Sequence, residues 1–302
     1  MNAEWSELNK KMQLLIKKRD TFSEGIGVLL SLRGKLLEQI NQFRDKLSDD
    51  DFCAMPFKNA KGYHSKTVAY SLWHIFRIED IVAHTLIAGD EQVFFSGDYQ
   101  TRIGSPIITT GNELIGEQIR EFSRQLDIGE LYRYITDVDT ATSTLLSALC
   151  FDDLKRKISP EQKRTLTDLE VVSRDENAFW LVDYWCGKDI RGLIQMPLSR
   201  HWIMHIEACL RIISKLPVNA GNARYKCPCC GCFTYSFPPE KDAGFICPVC
   251  FWENDPFIRS ESERSDANGG LTLFAARENY RRCGACEPTM VKFVRAPLDE
   301  EL

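Results

Sequence analysis

Cys227-Pro228-Cys229-Cys230-Gly231 and, after fifteen intervening residues, Cys247-Pro248-Val249-Cys250 place two Cys-x-x-Cys pairs close together in the chain. Four thiolates at that separation can close a tetrahedron around one zinc ion. The pairing Cys227/Cys230 with Cys247/Cys250 is preferred because Pro228 and Gly231 flank the first pair, and Gly231 suits the left-handed backbone such a turn often needs. The alternative frame replaces Cys227 and Cys230 by Cys229 and Cys232. Four sulfur ligands leave no open position on the ion. The site is therefore expected to hold a fold, and any chemistry is expected elsewhere.

The rest of the chain is organised around that segment. All five histidines precede residue 206, whereas eight of the twelve cysteines follow residue 226. Between them Leu216-Pro217-Val218-Asn219-Ala220-Gly221-Asn222 breaks a helical pattern. The expected organisation is a helical domain over 1–219 and a cysteine-rich domain over 220–302, the second small enough to gain from a metal staple. Met1 to Glu24 interleaves charged and apolar residues and lacks the apolar core of a secretory signal. No segment reads as a membrane span. A cytoplasmic location with reduced thiols is expected, favouring metal over disulfides. The net charge of −5 has no long run of one sign and gives no clear nucleic-acid signal.

The first domain has helical periodicity. Leu29, Leu32, Leu36, Ile40 and Phe43 form one stripe, with Thr21 and Glu24 offering a capping box before it. Further helices are expected over 65–88, over 129–149 with Leu131, Tyr134, Val138 and Leu145 inward, and after Ser159-Pro160. Two more are expected over 175–186, with Gly187 as a C-terminal stop, and from near Pro197 to Leu216. Strand alternation is weak, so a helical bundle is the expected class.

His201 and His205 stand one helical turn apart and face the same way. His74 lies in the apolar stretch Thr67-Val68-Ala69-Tyr70-Ser71-Leu72-Trp73-His74-Ile75 of another helix. Together they can offer three nitrogens to one metal and leave positions open for water or substrate. His64 and His84 read as surface or packing residues. Arg77 can hold a substrate carboxylate or pair with a neighbour such as Asp80. Glu79, Asp80 and Glu207 are candidates for orienting the imidazoles. No residue has the spacing of a general base, so none is assigned as catalytic.

His74 before Ile75 and the pair His201-Trp202-Ile203-Met204-His205 before Ile206 resemble the DinB/YfiT-like superfamily of bacterial metal-binding four-helix bundles. The resemblance covers roughly 20–216, with 151–195 longer than the simplest members need. It implies a mainly α fold, a DinB-like four-helix bundle with extra helices. It also implies a divalent metal such as Zn2+ or Ni2+ on His74, His201 and His205, and possible homodimers. Members include thiol-dependent transferases and isomerases and proposed metal hydrolases. The implied function is thus thiol S-transfer or hydrolysis on a small molecule, with a low-molecular-weight thiol and a small electrophile as partners.

Residues 225–298 resemble the bacterial cysteine-rich CPCC family. The match lies in Cys227–Gly231, in Cys247-Pro248-Val249-Cys250-Phe251-Trp252-Glu253, and in Leu271 to Tyr280. Gly284-Ala285-Cys286 and Val294-Arg295 extend it. Asn254, where an acid is expected, and Cys283 depart from the pattern. The resemblance implies a small zinc-ribbon-like fold with structural Zn2+ on Cys227, Cys230, Cys247 and Cys250. Cys229, Cys232, Cys283 and Cys286 form two further Cys-x-x-Cys pairs, either a second metal site or plain thiols. Trp252 and Phe251 either pack the small core or offer a docking surface. A second class of function stays open: a non-catalytic interaction module whose ribbon and bundle bind a protein or nucleic acid. An open cavity at the three histidines would favour the enzyme, and a metal sealed under Trp73 and Trp202 would favour the module.

Overall fold

The computed structural model describes residues 2–57, 62, 65–216, 225–235, 238–241, 243–298 and 301–302. Within it the chain divides into two compact units, 1–216 and 217–302. The linker residues from Pro217 to Asn222, and His64, lie outside the described residues. The fold is mainly α, with a small carboxy-terminal unit carrying short strands. No helix among the described residues is long and apolar enough to cross a membrane.

The first unit starts with α1 (Ala3–Leu15) and α2 (Phe22–Lys46), packed on each other, then a single turn, α3 (Asp49–Phe52). The central helix α4 (Val68–Asp80) continues as a π-helical stretch over Ile81–Ala88. Short α5 (Val93–Ser96) and α6 (Tyr99–Ile103) follow, then α7 (Glu117–Gln125) and the long α8 (Ile128–Ala148). An insertion of α9 (Pro160–Asp168), α10 (Glu176–Cys186) and α11 (Ile190–Gln195) precedes a π-helical turn, Met196–Arg200, which feeds α12 (His201–Ile213). Helices α2, α4, α8 and α12 form a four-helix core in which α4 and α2 each pack against both α8 and α12.

Every residue of α4 is buried. A helix buried on all sides belongs at the centre of a domain, and its polar side chains then need internal partners. Arg77 donates to Asp80 at 3.2 Å, to the Gln92 side chain at 3.0 Å and to the Ile108 carbonyl at 2.7 Å. Asp80 in turn accepts from the backbone N–H groups of Val93 and Phe94, each at 2.9 Å, fixing the start of α5. Glu79 makes a two-pronged bond to Arg33 of α2, at 2.7 and 2.8 Å, and accepts from Trp202 Nε1 at 2.7 Å. One carboxylate thereby ties together three of the four core helices.

Several boundaries differ from expectation for identifiable reasons. Helix α4 begins at Val68 rather than residue 65, because Thr67 caps it by accepting from the Tyr70 N–H. The Thr21/Glu24 capping box does not form. The Thr21 hydroxyl donates back to the Leu15 carbonyl at 2.7 Å, and Glu24 pairs with Lys11 at 3.1 Å. On α8 the inward position expected of Leu145 is taken by Leu146, with Leu145 half-buried. Gly187 ends α10 with right-handed φ of −76°, so its stop is not a left-handed cap. The Ser159/Gln162 capping box with Pro160 at the first helical position does form.

The second unit pairs β1 (Tyr225–Lys226) with β2 (Phe233–Tyr235) and β3 (Arg264–Ser265) with β4 (Leu271–Thr272), both antiparallel, and adds α13 (Leu273–Cys283). Its core gathers cysteines with Tyr235, Val249, Trp252, Leu273 and Ala276. So little apolar material accounts for the need for a further staple. Arg295 and Glu301 form a two-pronged ion pair at 2.6 and 2.7 Å that fastens the end of the chain.

Candidate metal centres

The contact of α4 with α12 brings His74 to His201 and His205. Ring centroids lie 5.1 Å apart for His74 and His201, 4.8 Å for His74 and His205, and 4.5 Å for His201 and His205. One nitrogen from each can be chosen so that all three lie within 4.8 Å of one another. The loop between α6 and α7 sets the orientation. His74 Nδ1–H donates to the Thr110 carbonyl at 2.7 Å, which turns Nε2 toward the other two rings. Tyr70 stacks on the His74 ring at 5.6 Å and 10°, and its hydroxyl donates to the Gly111 carbonyl at 2.9 Å. Gly111 has φ of +77°, and a Cβ there would lie 3.0 Å from the Tyr70 ring, so the tight approach needs glycine.

Burial holds the His74 pKa down to about 4, with the Lys66 charge adding to the effect. Burial also keeps His201 and His205 well below the usual histidine range, reinforced by the neighbouring imidazoles. All three are therefore neutral near pH 7, the form that binds a metal. His201 Nδ1 is buried with no hydrogen-bond partner among the described residues. A cation would satisfy such an atom. The three residues thus fit a metal.

They also line a cavity of about 400 Å3, within the range of small-molecule sites. Its apolar lining includes Trp180, Leu181, Tyr184 and Trp185 of α10 and Met196 and Pro197 of the π-helical turn. Lys66 also lines it, with its ammonium 4.9 Å from the Tyr70 ring centroid. Burial lowers its pKa. Trp73 and Trp202 are fully buried in the helical core and do not line the cavity. The spacing of the histidines pointed to this site. The Thr110 carbonyl and the α10 wall carried no local signal, because both are brought in by long loops.

The remaining candidates take other places. Arg77 is fully buried in its own network and does not reach the cavity. Glu79 lies five residues past His74, about 140° around the helix at 100° per residue, and it and Asp80 serve Arg33, Arg77 and backbone N–H groups instead. Glu207 accepts from the Asn2 N–H at 2.6 Å. His84 is buried, with Nδ1 2.7 Å from Asp90, and it packs rather than joins the trio.

In the second unit the Sγ atoms of Cys227, Cys230, Cys247 and Cys250 gather within 4.8 Å of one another. Cys227 lies 3.6 Å from Cys250, and Cys230 lies 3.7 Å from Cys247. A tetrahedron with Zn–S of about 2.3 Å has edges of about 3.8 Å, so the spacing fits a zinc ion. The Thr234 hydroxyl lies 3.3 Å from Cys247 Sγ and can support its thiolate. The two turns match bond for bond. Gly231 N–H donates to the Cys227 carbonyl at 2.9 Å and Phe251 N–H to the Cys247 carbonyl at 2.8 Å. Cys227 N–H reaches the Cys232 carbonyl and Cys247 N–H the Trp252 carbonyl, at 2.8 and 2.9 Å. Gly231 has φ of +78° and Phe251 +68°, so the second turn imposes the left-handed backbone on a phenylalanine. The Phe251 ring packs on Phe293 with centroids 5.6 Å apart, while Trp252 is buried in the core.

Among the described residues Cys229, Cys232, Cys283 and Cys286 form no third metal-ligating group, and the 229/232 frame does not form. Cys283 donates to the Asn279 carbonyl at 3.2 Å, and burial pushes the Cys286 thiol up to about 12. Asn254 is buried and donates through Nδ2 to the Pro239 carbonyl at 2.6 Å, a bond an ionised acid could not make.

Residues 225–301 match a family model described as Cysteine-rich CPCC. The carboxy-terminal unit is a CPCC domain whose four cysteines could hold a metal ion such as zinc. Neither a search of curated proteins nor one of solved structures finds a match.

Proposed function

We propose that the helical unit, a DinB/YfiT-like bundle, binds a divalent metal through His74, His201 and His205. In this reading it acts on a small molecule in the adjoining cavity, by thiol S-transfer or by hydrolysis. The observation that supports this most is the conjunction of three neutral, buried imidazoles with a cavity of about 400 Å3 that they line. A divalent ion held by three neutral ligands would keep its full charge and favour an anionic water or thiolate at the position left open. The chain's own part is positional. Thr110 and Tyr70 fix the His74 ring, α12 fixes the other two, and α10 supplies apolar lining to the cavity. The CPCC domain in this reading carries a structural Zn2+ on Cys227, Cys230, Cys247 and Cys250, whose four thiolates saturate the ion and leave it no role in turnover.

The test is a conjugation and hydrolysis screen of the full chain, metal-loaded, with several low-molecular-weight thiols and small electrophiles. Turnover in the wild type that disappears in His201→Ala, with the CPCC domain still folded, is the expected result. Undiminished turnover in a His201→Ala protein without metal at the bundle would overturn the mechanism. Inactivity across the whole screen would move the reading to an interaction module.

A further inference from the structure

The cavity beside the three histidines is asymmetric in charge. Among the described residues that line it, none is an aspartate or glutamate. Glu113, the acid closest in sequence to Asn112, does not line the cavity: one of its oxygens accepts from the Thr109 hydroxyl, and its charge reaches Tyr70 from behind the lining. Lys66, by contrast, lines the cavity as a half-buried ammonium, has no carboxylate partner among the described residues, and lies over the ring of the same Tyr70 that stacks on His74. The Asn112 side chain accepts from the Thr110 hydroxyl at 2.8 Å through Oδ1, which leaves its amide N–H groups as donors. The same cavity is lined by Trp180 and Tyr184, which pack edge to face at 5.6 Å, with Trp180 half exposed at 51%. An indole exposed to that degree beside a cavity is a ready surface for an apolar body.

A half-buried cation without a counterion among the described residues attracts an anion. We propose that this cavity selects a small amphipathic anion, with its acidic group on Lys66 and Asn112 and an aromatic or other apolar body against Trp180 and Tyr184. The inference deepens the metal-site reading and rests on it in one respect: an ion on the three histidines would add to the same positive field. A cationic ligand would meet the Lys66 ammonium, and a wholly polar one would leave the apolar α10 residues without contact.

Isothermal titration of the full chain, with metal content measured on the same sample, tests this. The probes are 3-phenylpropanoate, its neutral amide and 3-phenylpropylamine. The carboxylate should bind about tenfold or more tighter than the amide, the ratio expected of one charge-assisted hydrogen bond, and the amine should not bind. Lys66→Met should erase most of that ratio, Lys66→Arg should keep it, and Trp180→Ala should weaken carboxylate and amide alike. Equal binding of the three probes, binding of none of them, or an unchanged ratio in Lys66→Met overturns the proposal. The two readings fail separately. A sample without metal at the histidines that still shows the Lys66-dependent ratio upholds the anion site and counts against the metal centre. A metal-loaded sample with no ratio does the reverse.

Discussion

At the scale of the residue, the chain spends its buried charge on holding helices rather than on chemistry. Arg33 is fully buried and satisfies Glu79 with two hydrogen bonds, reaches Asp139 at 2.6 Å, and lies 4.4 Å over the Trp202 ring. Replacing it by methionine would strand the Glu79 carboxylate inside the core. Arg33→Met should cost about 3 to 5 kcal/mol in urea denaturation, and a loss below about 1 kcal/mol, the range of an exposed pair, would show that the pair contributes little. The three imidazoles behave differently, since burial holds them neutral and His74 down to about 4. The unfolded chain takes up protons on these histidines near pH 6.5, while the folded chain resists until lower pH. Stability is then complete above about pH 6.5 and drains as pH falls from there toward about 4. The Tm of metal-free protein should drop across that window, and His205→Leu should flatten the slope. A pH-independent Tm would contradict neutral burial. The histidine trio was legible because a four-residue interval on one helix and an apolar surround on another are local patterns. The pairing of Arg77 with Asp80 was legible too, since the two lie one turn apart on the same helix, whereas the Arg33–Glu79 pair was not, because it depends on which helix lies opposite.

At the scale of the element, glycine and cap chemistry decide where helices meet. The α1–α2 pair closes around Gly25, where a Cβ would fall 2.7 Å from Ile16 Cγ2 and 2.8 Å from the Ile16 backbone nitrogen. Gly25→Ala should therefore lower stability by about 1 to 3 kcal/mol through forced backbone shifts, read as a lower Tm. A stabilised variant, the ordinary effect of alanine in a helix, would show that the close approach is absent. Periodicity made α2, α8, α10 and α12 legible to within a few residues, since each buries one stripe. Helix α1 carried too mixed a pattern to announce itself. The start of α4 was misplaced because Thr67 competes as a cap with the Ser65-Lys66 stretch before it. The matching of the two cysteine turns was half legible: Gly231 announced its left-handed backbone, whereas Phe251 takes the same conformation against its own preference.

At the scale of the whole molecule, the described residues include two groups that could hold a metal ion, one in each unit, built on opposite principles. The CPCC domain was legible at once, because four cysteines at fixed spacing are one continuous motif. The helical unit's cavity was not, because part of its lining arrives with residues 151–195, a segment in which α9 and α10 could be read, α11 was missed, and the placement could not be foreseen. In the proposed reading the four thiolates belong to a small core stapled by an ion, and zinc in such modules contributes about 10 kcal/mol or more to folding. Cys247→Ser should accordingly remove hydrogen-exchange protection from 225–298 and leave the helices protected; protection retained in both units would mean the ion is dispensable. The helical centre is the reverse case, a large core with a site added, so it should lose its metal without unfolding. The most direct test of that claim is a count of metal ions per chain in purified wild type and His205→Ala, with helicity checked on the same samples. Two ions per chain in the wild type, one for each ligand group, falling to one in His205→Ala at unchanged helicity, is the predicted result. A wild type that holds only the ion of the four cysteines under metal-replete conditions, or a His205→Ala protein that keeps both, would contradict it.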